Sequence, residues 1–435
     1  MGTWRTERPH ENKNRRMLKN GKMRYLAIAL ALTMALSFTF LATACGSPAA
    51  PADDSAATST EAEATSSESA SSSSAAPADG EVQTKTIGWY ADAADSYYQQ
   101  NHDTLVAAAQ EDPTCEWTVE FKVGQSTAEE QLKAVEDFIT AGYDAIIVIQ
   151  NNPNTTGECI EKCKAAGIPY FGAGYDFAQL SNANDSAGSV EYDFVEAGRL
   201  AGADALERGV KKLIMLEGVL GQGASSNFSL GFLNAYQDAG KSLGDKPDGT
   251  PYTALDIAKD KPGEVGGTPD FEVVQWLSGN WMAEPAQKAV SGAITSLGKD
   301  GFDGIYVQNN PMAEGVIAAM QETGLSPQDY WIGSCNGREL SWEWAEDGLI
   351  TFDLNQPAAL EGILLYQQIK AYFNGEEYKK HVRPYFSAFT KDDIKELKDG
   401  LIPCSDIDAF MKGRAENKFV TDINDPKFVL IPGYN

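Results

Sequence analysis

The 435-residue chain contains the phrase Gln-Asn-Asn-Pro twice, at 150–153 and again at 308–311. In each case an apolar run precedes the phrase, after Gly-Tyr-Asp at 142–144 or Gly-Phe-Asp at 301–303. An amide side chain offers both a hydrogen-bond donor and an acceptor and carries no net charge. The repeated motif therefore predicts two places where neutral hydrogen-bonding groups face the same ligand.

The elements around the two phrases predict how they are positioned. From residue 84 onward, strand-like apolar runs alternate with helical patterns, and most of the runs are continuous, as in strands buried on both faces. The predicted strands are 84–90, 117–123, 145–150, 169–174, 212–216, 271–277, 304–308, 330–333, 349–354 and 384–389. Strand–helix–strand repetition implies right-handed crossovers and parallel sheets.

Local signals set the ends of the helices. Ser-Thr-Ala-Glu at 126–129 has the form of a capping box, and Gly142 stands just past the apolar stripe that follows. Gly167 closes the next helical pattern in the same way. These signals predict an α/β protein with short connections.

Both Gln-Asn-Asn-Pro motifs lie where a predicted strand ends and a helix begins. In open parallel sheets, ligands bind at the carboxyl ends of the strands. Proline suits the start of a helix and asparagine suits a cap or turn. Two such phrases predict two similar sheets whose facing edges line a cleft. The alternative is that both phrases are helix caps in unrelated places.

The N-terminus has the form of a secretory signal, predicted over 1–44. Residues 5–24 hold eight Lys or Arg and two acids, and an apolar run from 25 to 41 leads into Ala-Thr-Ala-Cys at 42–45. This pattern is shorter than a spanning helix and ends in small residues. It resembles a bacterial lipoprotein box with Cys45 as the lipidated (palmitate-bearing) residue, although Ala42 stands where leucine is usual. Plain secretory cleavage is the alternative.

Residues 45–82 are predicted to be a tether, because Ser, Ala, Thr, Pro, Asp and Glu dominate them and give a fold nothing to bury. The chain has a net charge of −27, and loss of the basic leader leaves about −33. Such a charge disfavours nucleic acid as a partner. The expected location is the outer face of the cytoplasmic membrane.

Signals for catalysis, metals and cofactors are weak. Cys159 and Cys163 lie four apart without a completing pair or a nearby histidine, so buried apolar packing is preferred to a metal site. Gly-Ser-Cys-Asn-Gly at 333–337 places its serine one position early for a nucleophile elbow. The glycine-rich segments lack the dinucleotide spacing. We expect no enzyme, no metal and no cofactor.

Over about 84–394 the chain resembles the periplasmic binding proteins of the ribose- and galactose-binding type. The stretches that carry the resemblance are "LKAVEDFITAGYDAIIVIQNNP", "KAAGIPYFGAGYD", "YDFVEAGRLAG", "LEGVLGQGASSNFSLGFLNAY", "VQNNPMAEGVIAAMQETG" and "IGSCNG". The resemblance implies two Rossmann-like lobes joined by a three-crossing hinge. It assigns 83–189 and 357–387 to the first lobe, and 190–356 and 388–435 to the second. A loop insertion at 241–268 has no assigned role, and Val-Leu-Ile-Pro-Gly-Tyr-Asn at 429–435 is expected to add a strand or to wrap the hinge.

The resemblance also implies ligand-binding positions. They are Trp89, Tyr97, Tyr98, Tyr175, Asp176, Asn227, Trp281, Asn309, Asn336 and Asn355. Where ribose binders carry a charged Arg and Asp, this chain has Asn227 and Asn336, which favours an uncharged, polyhydroxylated ligand stacked on aromatic rings. The alternatives are core packing for Trp281 or Tyr98, and turn or cap roles for the asparagines.

The function that follows by resemblance is that of a monomeric, lipid-anchored solute-binding subunit of an ABC importer. It captures a neutral sugar-like ligand by hinge closure and delivers it to ABC permease subunits. Alternatives are a sensor that presents its closed state to a receptor, or the same fold binding a nucleoside or an amino acid. An amino acid calls for a carboxylate clamp, for which Arg338 is the candidate. A transcription regulator is disfavoured, because the predicted signal and tether stand where such a regulator carries its DNA-binding helices.

Overall fold

The computed structural model describes residues 82–93, 95–124, 127–149, 153–174, 177, 180–261 and 266–431. The predicted leader, Cys45 and nearly all of the tether lie outside these residues, as do residues 150–152 of the first Gln-Asn-Asn-Pro motif. The described residues belong to one compact unit, 73–435. Among the helices of this part of the chain, none has the length and apolarity needed to cross a membrane.

The strands are short and regularly spaced. They are β1 (Gln83–Ala91), β2 (Cys115–Val123), β3 (Ala145–Ile149), β4 (Tyr170–Gly174), β5 (Gly188–Glu191), β6 (Lys212–Glu217), β7 (Glu272–Ser278), β8 (Gly304–Val307), β9 (Trp331–Gly333), β10 (Phe352–Asn355), β11 (His381–Arg383), β12 (Ser387–Thr390) and β13 (Val429–Leu430). The apolar pattern did not predict β5 and β11, whereas β13 falls within 429–435, where an added strand was one of two expectations. β5 has four residues and β11 has three, each with polar members, so no buried apolar run marks either of them.

The helices lie between the strands. They are α1 (Ser96–Glu111), α2 (Ala128–Ala141), α3 (Pro153–Ala166), α4 (Phe194–Glu207), α5 (Gly223–Asp238), α6 (Ala254–Asp260), α7 (Ala283–Leu297), α8 (Asn310–Glu322), α9 (Glu339–Glu346), α10 (Ala358–Asn374), α11 (Ile394–Leu397) and α12 (Ile407–Ala415). Thr127 is the N-cap of α2, one position later than predicted, and accepts from Glu130 N at 3.2 Å. Gly142 ends that helix in the left-handed region, at φ 74°.

Two mostly parallel sheets form two lobes, as predicted. The first has the order β13-β11-β5-β4-β3-β1-β2 and the second β12-β10-β9-β8-β6-β7. Only the pairs β11–β13 and β10–β12 run antiparallel among the pairings of these strands. Every residue of β3 is buried, because helices cover both faces of the sheet. The second sheet is covered on both faces in the same way.

The backbone passes between the sheets at 192–193, 356–357 and 384–386, which are the three expected crossings. The Tyr192 hydroxyl donates to the Pro357 carbonyl at 3.1 Å and ties the first crossing to the second. A fourth crossing follows α11, where residues 401–406 lead from the second lobe back to the first.

The C-terminal segment completes the first lobe. β13 pairs with β11 at the edge of the first sheet, and Phe410, Ile423 and Phe428 are buried in the core beneath α1 and α10. The assignment of 388–435 to the second lobe therefore does not hold for 407–431. The physical reason is that these apolar side chains find their buried surface on the first sheet.

Candidate functional site

The start of α1 and the loop after β9 bring the two lobes together. Arg338 Nη2 donates to Ser96 Oγ at 2.5 Å, and this bond joins the second lobe to the first. Burial raises the pKa of Asp95, the N-cap of α1, and the charge of Arg338 partly offsets that rise. Since α1 follows β1 and Arg338 follows β9, the carboxyl ends of the two sheets oppose each other.

Tyr97 and Tyr98 lie on the first-lobe side of this junction. Their rings meet edge to face, with centroids 6.1 Å apart. The Tyr97 hydroxyl donates to Glu361 Oε2 at 3.0 Å and accepts from Gln356 Nε2 at 3.1 Å. Burial raises the pKa of Tyr97 well above its usual range, so its phenol is neutral. Tyr98 packs on the first-lobe core and hydrogen-bonds the Asp92 carboxylate.

Trp281 lies on the second-lobe side, after β7. Its backbone is in the left-handed region at φ 59°, and its ring covers Gly218 so closely that a Cβ there would lie 1.9 Å from the ring. The indole Nε1 donates to Gln222 Oε1 at 2.9 Å. The ring is therefore held against the loop after β6, half-buried, with part of its surface accessible.

The second Gln-Asn-Asn-Pro motif contains the start of α8, where the sequence predicts the change from strand to helix. Asn309 is the N-cap: its Oδ1 accepts from Met312 N at 2.9 Å, and its Nδ2 donates to the Trp281 carbonyl at 3.1 Å. Gln308 accepts from Gly218 N at 3.0 Å and donates to the Ser225 carbonyl at 2.9 Å. Both amides thus bind their own lobe, and for Asn309 this is the capping role that is the alternative to ligand contact.

Asn310 and Asn336 continue this network. Asn310 Nδ2 donates to Asp353 Oδ2 at 2.7 Å, and Asn310 Oδ1 accepts from Arg338 N at 2.8 Å. Asn336 stands at φ 96°, and its Oδ1 accepts from Asn310 N at 3.2 Å. Asn336 is half-buried, whereas Asn309, Asn310 and Asn355 are buried.

Asn355 is buried, with 1% of its surface exposed, at the end of β10. Its Oδ1 accepts from Ile402 N at 3.0 Å, and its Nδ2 donates to the carbonyls of Ile402 (2.9 Å) and Gly337 (3.1 Å) and to Cys404 Sγ (3.1 Å). These bonds occupy both ends of the amide. The structure therefore gives Asn355 a role in anchoring the fourth crossing in place of the ligand contact predicted for it.

Trp89 also departs from its predicted place. It lies inside β1 with no exposed surface, and its ring packs against His102 and Phe121 in the first-lobe core. Alternate residues of a strand face opposite sides of the sheet, and the Trp89 ring faces the side packed by α1. Asn227 is half-buried on α5. Tyr175 and Asp176 lie outside the described residues.

The junction contains buried acids that were not predicted from the sequence. Burial raises the pKa of Asp92, at the end of β1, to about 6, and that of Asp353 to about 6. Burial raises the pKa of Glu361 to about 8, although hydrogen bonds from Tyr97 and Asn101 oppose the rise. A single acid within the apolar segment Ala-Ala-Leu-Glu-Gly-Ile-Leu-Leu at 358–365 was the available signal for Glu361.

The described residues contain no group of three His, Cys, Asp or Glu placed to hold a metal ion. Cys115, Cys159, Cys163, Cys335 and Cys404 are free thiols. Burial raises the pKa of Cys159 to about 11 and of Cys163 to about 12. Both thiols therefore remain protonated and pack as small apolar groups, in line with the structural interpretation of that pair.

Comparisons with known proteins place the fold in context. A family model described as a periplasmic binding protein domain matches residues 87–377. A xylitol-binding protein of Mycolicibacterium smegmatis is 27% identical over 196 residues, which cover 45% of this chain and 46% of that protein. A galactofuranose-binding protein of Escherichia coli is 23% identical over 227 residues, covering 51% of this chain and 61% of that protein. The matched segments thus span about half to three fifths of these relatives.

Solved structures agree on the architecture. The binding component of an arabinose ABC transporter from Shewanella sp. ANA-3, bound to L-arabinofuranose, superposes with a TM-score of 0.58 at 19% identity. The match covers 76% of this chain and 97% of that one. At this identity the likeness concerns the fold.

Proposed function

The chain belongs to the periplasmic binding protein family, and from that premise we propose that it captures a neutral sugar or polyol between its two lobes. The observation that carries the proposal is the meeting of the carboxyl ends of both sheets, where Arg338 reaches Ser96. Ligands of parallel α/β sheets bind at this edge. Tyr97 and Tyr98 on one side and Trp281 on the other supply ring faces suited to the apolar face of a sugar.

The charges at the junction favour an uncharged ligand. Arg338, the candidate clamp for an amino-acid carboxylate, is already bound to Ser96 and lies near Asp95. Asp92 and Asp353 are buried close to the strand ends with pKa values of about 6, so at neutral pH they are ionised and would oppose an anion. A polyhydroxylated ligand adds no charge beside these carboxylates.

The proposed mechanism is closure about the crossings. A ligand that contacts both lobes binds the closed arrangement more tightly and shifts the population toward it. The Arg338–Ser96 bond is a lobe-to-lobe contact of the kind that closure makes. The closed protein then presents surface from both lobes to ABC permease subunits, while a lipid on Cys45 holds the monomeric protein at the outer face of the membrane. The related binding proteins for xylitol, galactofuranose and arabinose support this class of ligand.

A thermal-shift screen tests the ligand class. A ligand that binds only the folded state stabilises it by RT ln(1 + [L]/Kd) and so raises the melting temperature. We expect a rise with at least one of xylitol, L-arabinose and D-galactose, and none with L-glutamine or adenosine. Stabilisation by glutamine or adenosine alone would overturn the sugar assignment in favour of the amino-acid or nucleoside alternative.

Mass spectrometry of the mature N-terminus tests the anchor separately. A diacylated or triacylated Cys45 supports membrane attachment, since one chain binds a bilayer only marginally. An unmodified terminus at another residue would remove the anchor and leave the ligand proposal intact.

A further inference from the structure

Glu361 lies behind Tyr97, in the first turn of α10, where the second crossing enters the first lobe. Only 1% of its surface is exposed. Its Oε2 accepts from the Tyr97 hydroxyl at 3.0 Å and from Asn101 Nδ2 at 2.8 Å. The backbone of Gly174, the last residue of β4, also hydrogen-bonds the carboxyl group. One buried side chain therefore contacts α1 and the end of β4, which leads directly into Tyr175.

The Tyr97 hydroxyl extends this contact to the second lobe. It accepts from Gln356 Nε2 at 3.1 Å, and Gln356 Oε1 accepts from the Cys335 thiol at 3.0 Å. Gln356 belongs to the second crossing, and Cys335 follows β9. A continuous chain of hydrogen bonds thus runs from Glu361 through Tyr97 and the hinge to the second lobe. Turning the Tyr97 ring would leave buried polar groups without partners, which is costly.

We propose that Glu361 is a positioning residue for the binding site: it fixes the ring of Tyr97 so that its face is presented to a sugar or polyol, without touching that ligand itself. This inference rests on the proposed function. It assigns to α10 a part in binding that neither the aromatic residues nor the repeated phrases suggest. It also makes the ring orientation depend on Gln356, and so on the arrangement of the hinge.

The first experiment needs no ligand. In protein labelled with 3-fluorotyrosine, Tyr97→Phe identifies the ¹⁹F resonance of position 97. We expect the same narrow signal in the native protein and in Glu361→Gln, which keeps an acceptor oxygen and the shape of the side chain. Glu361→Ala should shift or broaden it, because the ring loses its anchor. Glu361→Met keeps the volume without an acceptor and serves in place of the alanine variant if that one does not fold. An unchanged resonance in the folded variant would overturn the proposal.

The second experiment measures Kd by calorimetry for xylitol, L-arabinose and D-galactose. For whichever of them binds, Glu361→Met should weaken binding by about tenfold or more, and Glu361→Gln by much less. In a Tyr97→Phe background, Glu361→Met should add almost nothing, because its effect passes through the missing hydroxyl. Full additivity in that background would contradict the proposal. If none of the three binds the native protein, the proposed function fails, while the ¹⁹F result still decides whether Glu361 orients Tyr97.

Discussion

Asn355 holds Ile402 by two hydrogen bonds, accepting from its N–H at 3.0 Å and donating to its carbonyl at 2.9 Å. The fourth crossing has no strand partner at Ile402, so the Asn355 side chain supplies the hydrogen bonds for the Ile402 N–H and carbonyl. Buried backbone groups need such partners, and a side-chain amide matches both at once. The relationship explains why an asparagine stands at the end of β10.

Replacing Asn355 should therefore affect folding. Asn355→Ala strands the Ile402 N–H and carbonyl in the interior, and we expect a loss of about 2–4 kcal/mol in the free energy of unfolding. Urea denaturation followed by fluorescence measures it. Asn424→Ala, at an exposed position of the C-terminal segment, is the matched control and should lie within about 0.5 kcal/mol of the native protein. Equal stability of the two variants would contradict the anchoring role.

Asn309 should behave as a helix cap. Asn309→Ala removes the acceptor for Met312 N, and we expect about 0.5–2 kcal/mol of destabilisation. Asn309→Ser keeps a capping oxygen and should restore much of that stability. Affinity for a sugar ligand should change little in either variant, because both ends of the native amide bind the second lobe. A large loss of affinity with stability unchanged would return Asn309 to the ligand contacts.

Trp281 should affect both stability and binding. Trp281→Ala uncovers Gly218 and removes a ring face from the junction, so we expect affinity for the ligand to fall by about 2–3 kcal/mol, as for an interface anchor. Calorimetry with the ligand from the thermal-shift screen measures the change. Trp344→Ala is the control: this tryptophan packs on the second-lobe core, so its loss should lower stability and spare affinity. Native affinity in Trp281→Ala would assign the ring to the core alone.

Glu361 should make the protein less stable as the pH rises toward 8. Its pKa is about 8 in the folded protein against 4.5 for a glutamate side chain free in water, so the folded state holds the proton more tightly, and stability declines as pH rises from 4.5 to 8. The groups facing Glu361 are Tyr97 and Tyr192, which titrate far higher, and Glu191.

The window from pH 6.5 to 8 isolates this effect. The pKa of Asp92 and of Asp353 is about 6, and that of His381 falls to about 4 against 6.5 for a histidine side chain free in water, so these groups act below the window. We expect a loss of at most about 2 kcal/mol across it. Glu361→Gln should abolish the slope in urea titrations at several pH values. A slope that persists in Glu361→Gln would assign the effect to another group.

Regular features of the chain were predictable because they are local. Three features follow from the residues themselves: the buried apolar run of β3, the left-handed Gly142 after α2, and the change from strand to helix at 308–311. The resemblance added the two-lobe arrangement, which the sheet orders confirm. The short strand β5 was missed because its four residues carry no periodic signal long enough to separate it from a loop.

The roles of individual polar side chains were less predictable. Asn309, Asn336 and Asn355 are the same residue type after neighbouring strands, yet one caps a helix, one sits half-buried at φ 96°, and one anchors a distant segment. Asparagine suits caps, turns and ligands equally well, because its amide bonds to whatever partner the fold supplies. The residue type and its position in the sequence therefore do not show which of these roles each asparagine has.

By itself the sequence determined that strands alternate with helices in two similar halves, since apolar periodicity and cap residues act over a few positions. Only the tertiary structure decided that Trp89 is core, that Asn355 binds Ile402, and that Glu361 lies against Tyr97. In the last two pairs, 47 and 264 residues separate the partners along the chain. Such contacts depend on how complete sheets and crossings pack, which no local signal encodes.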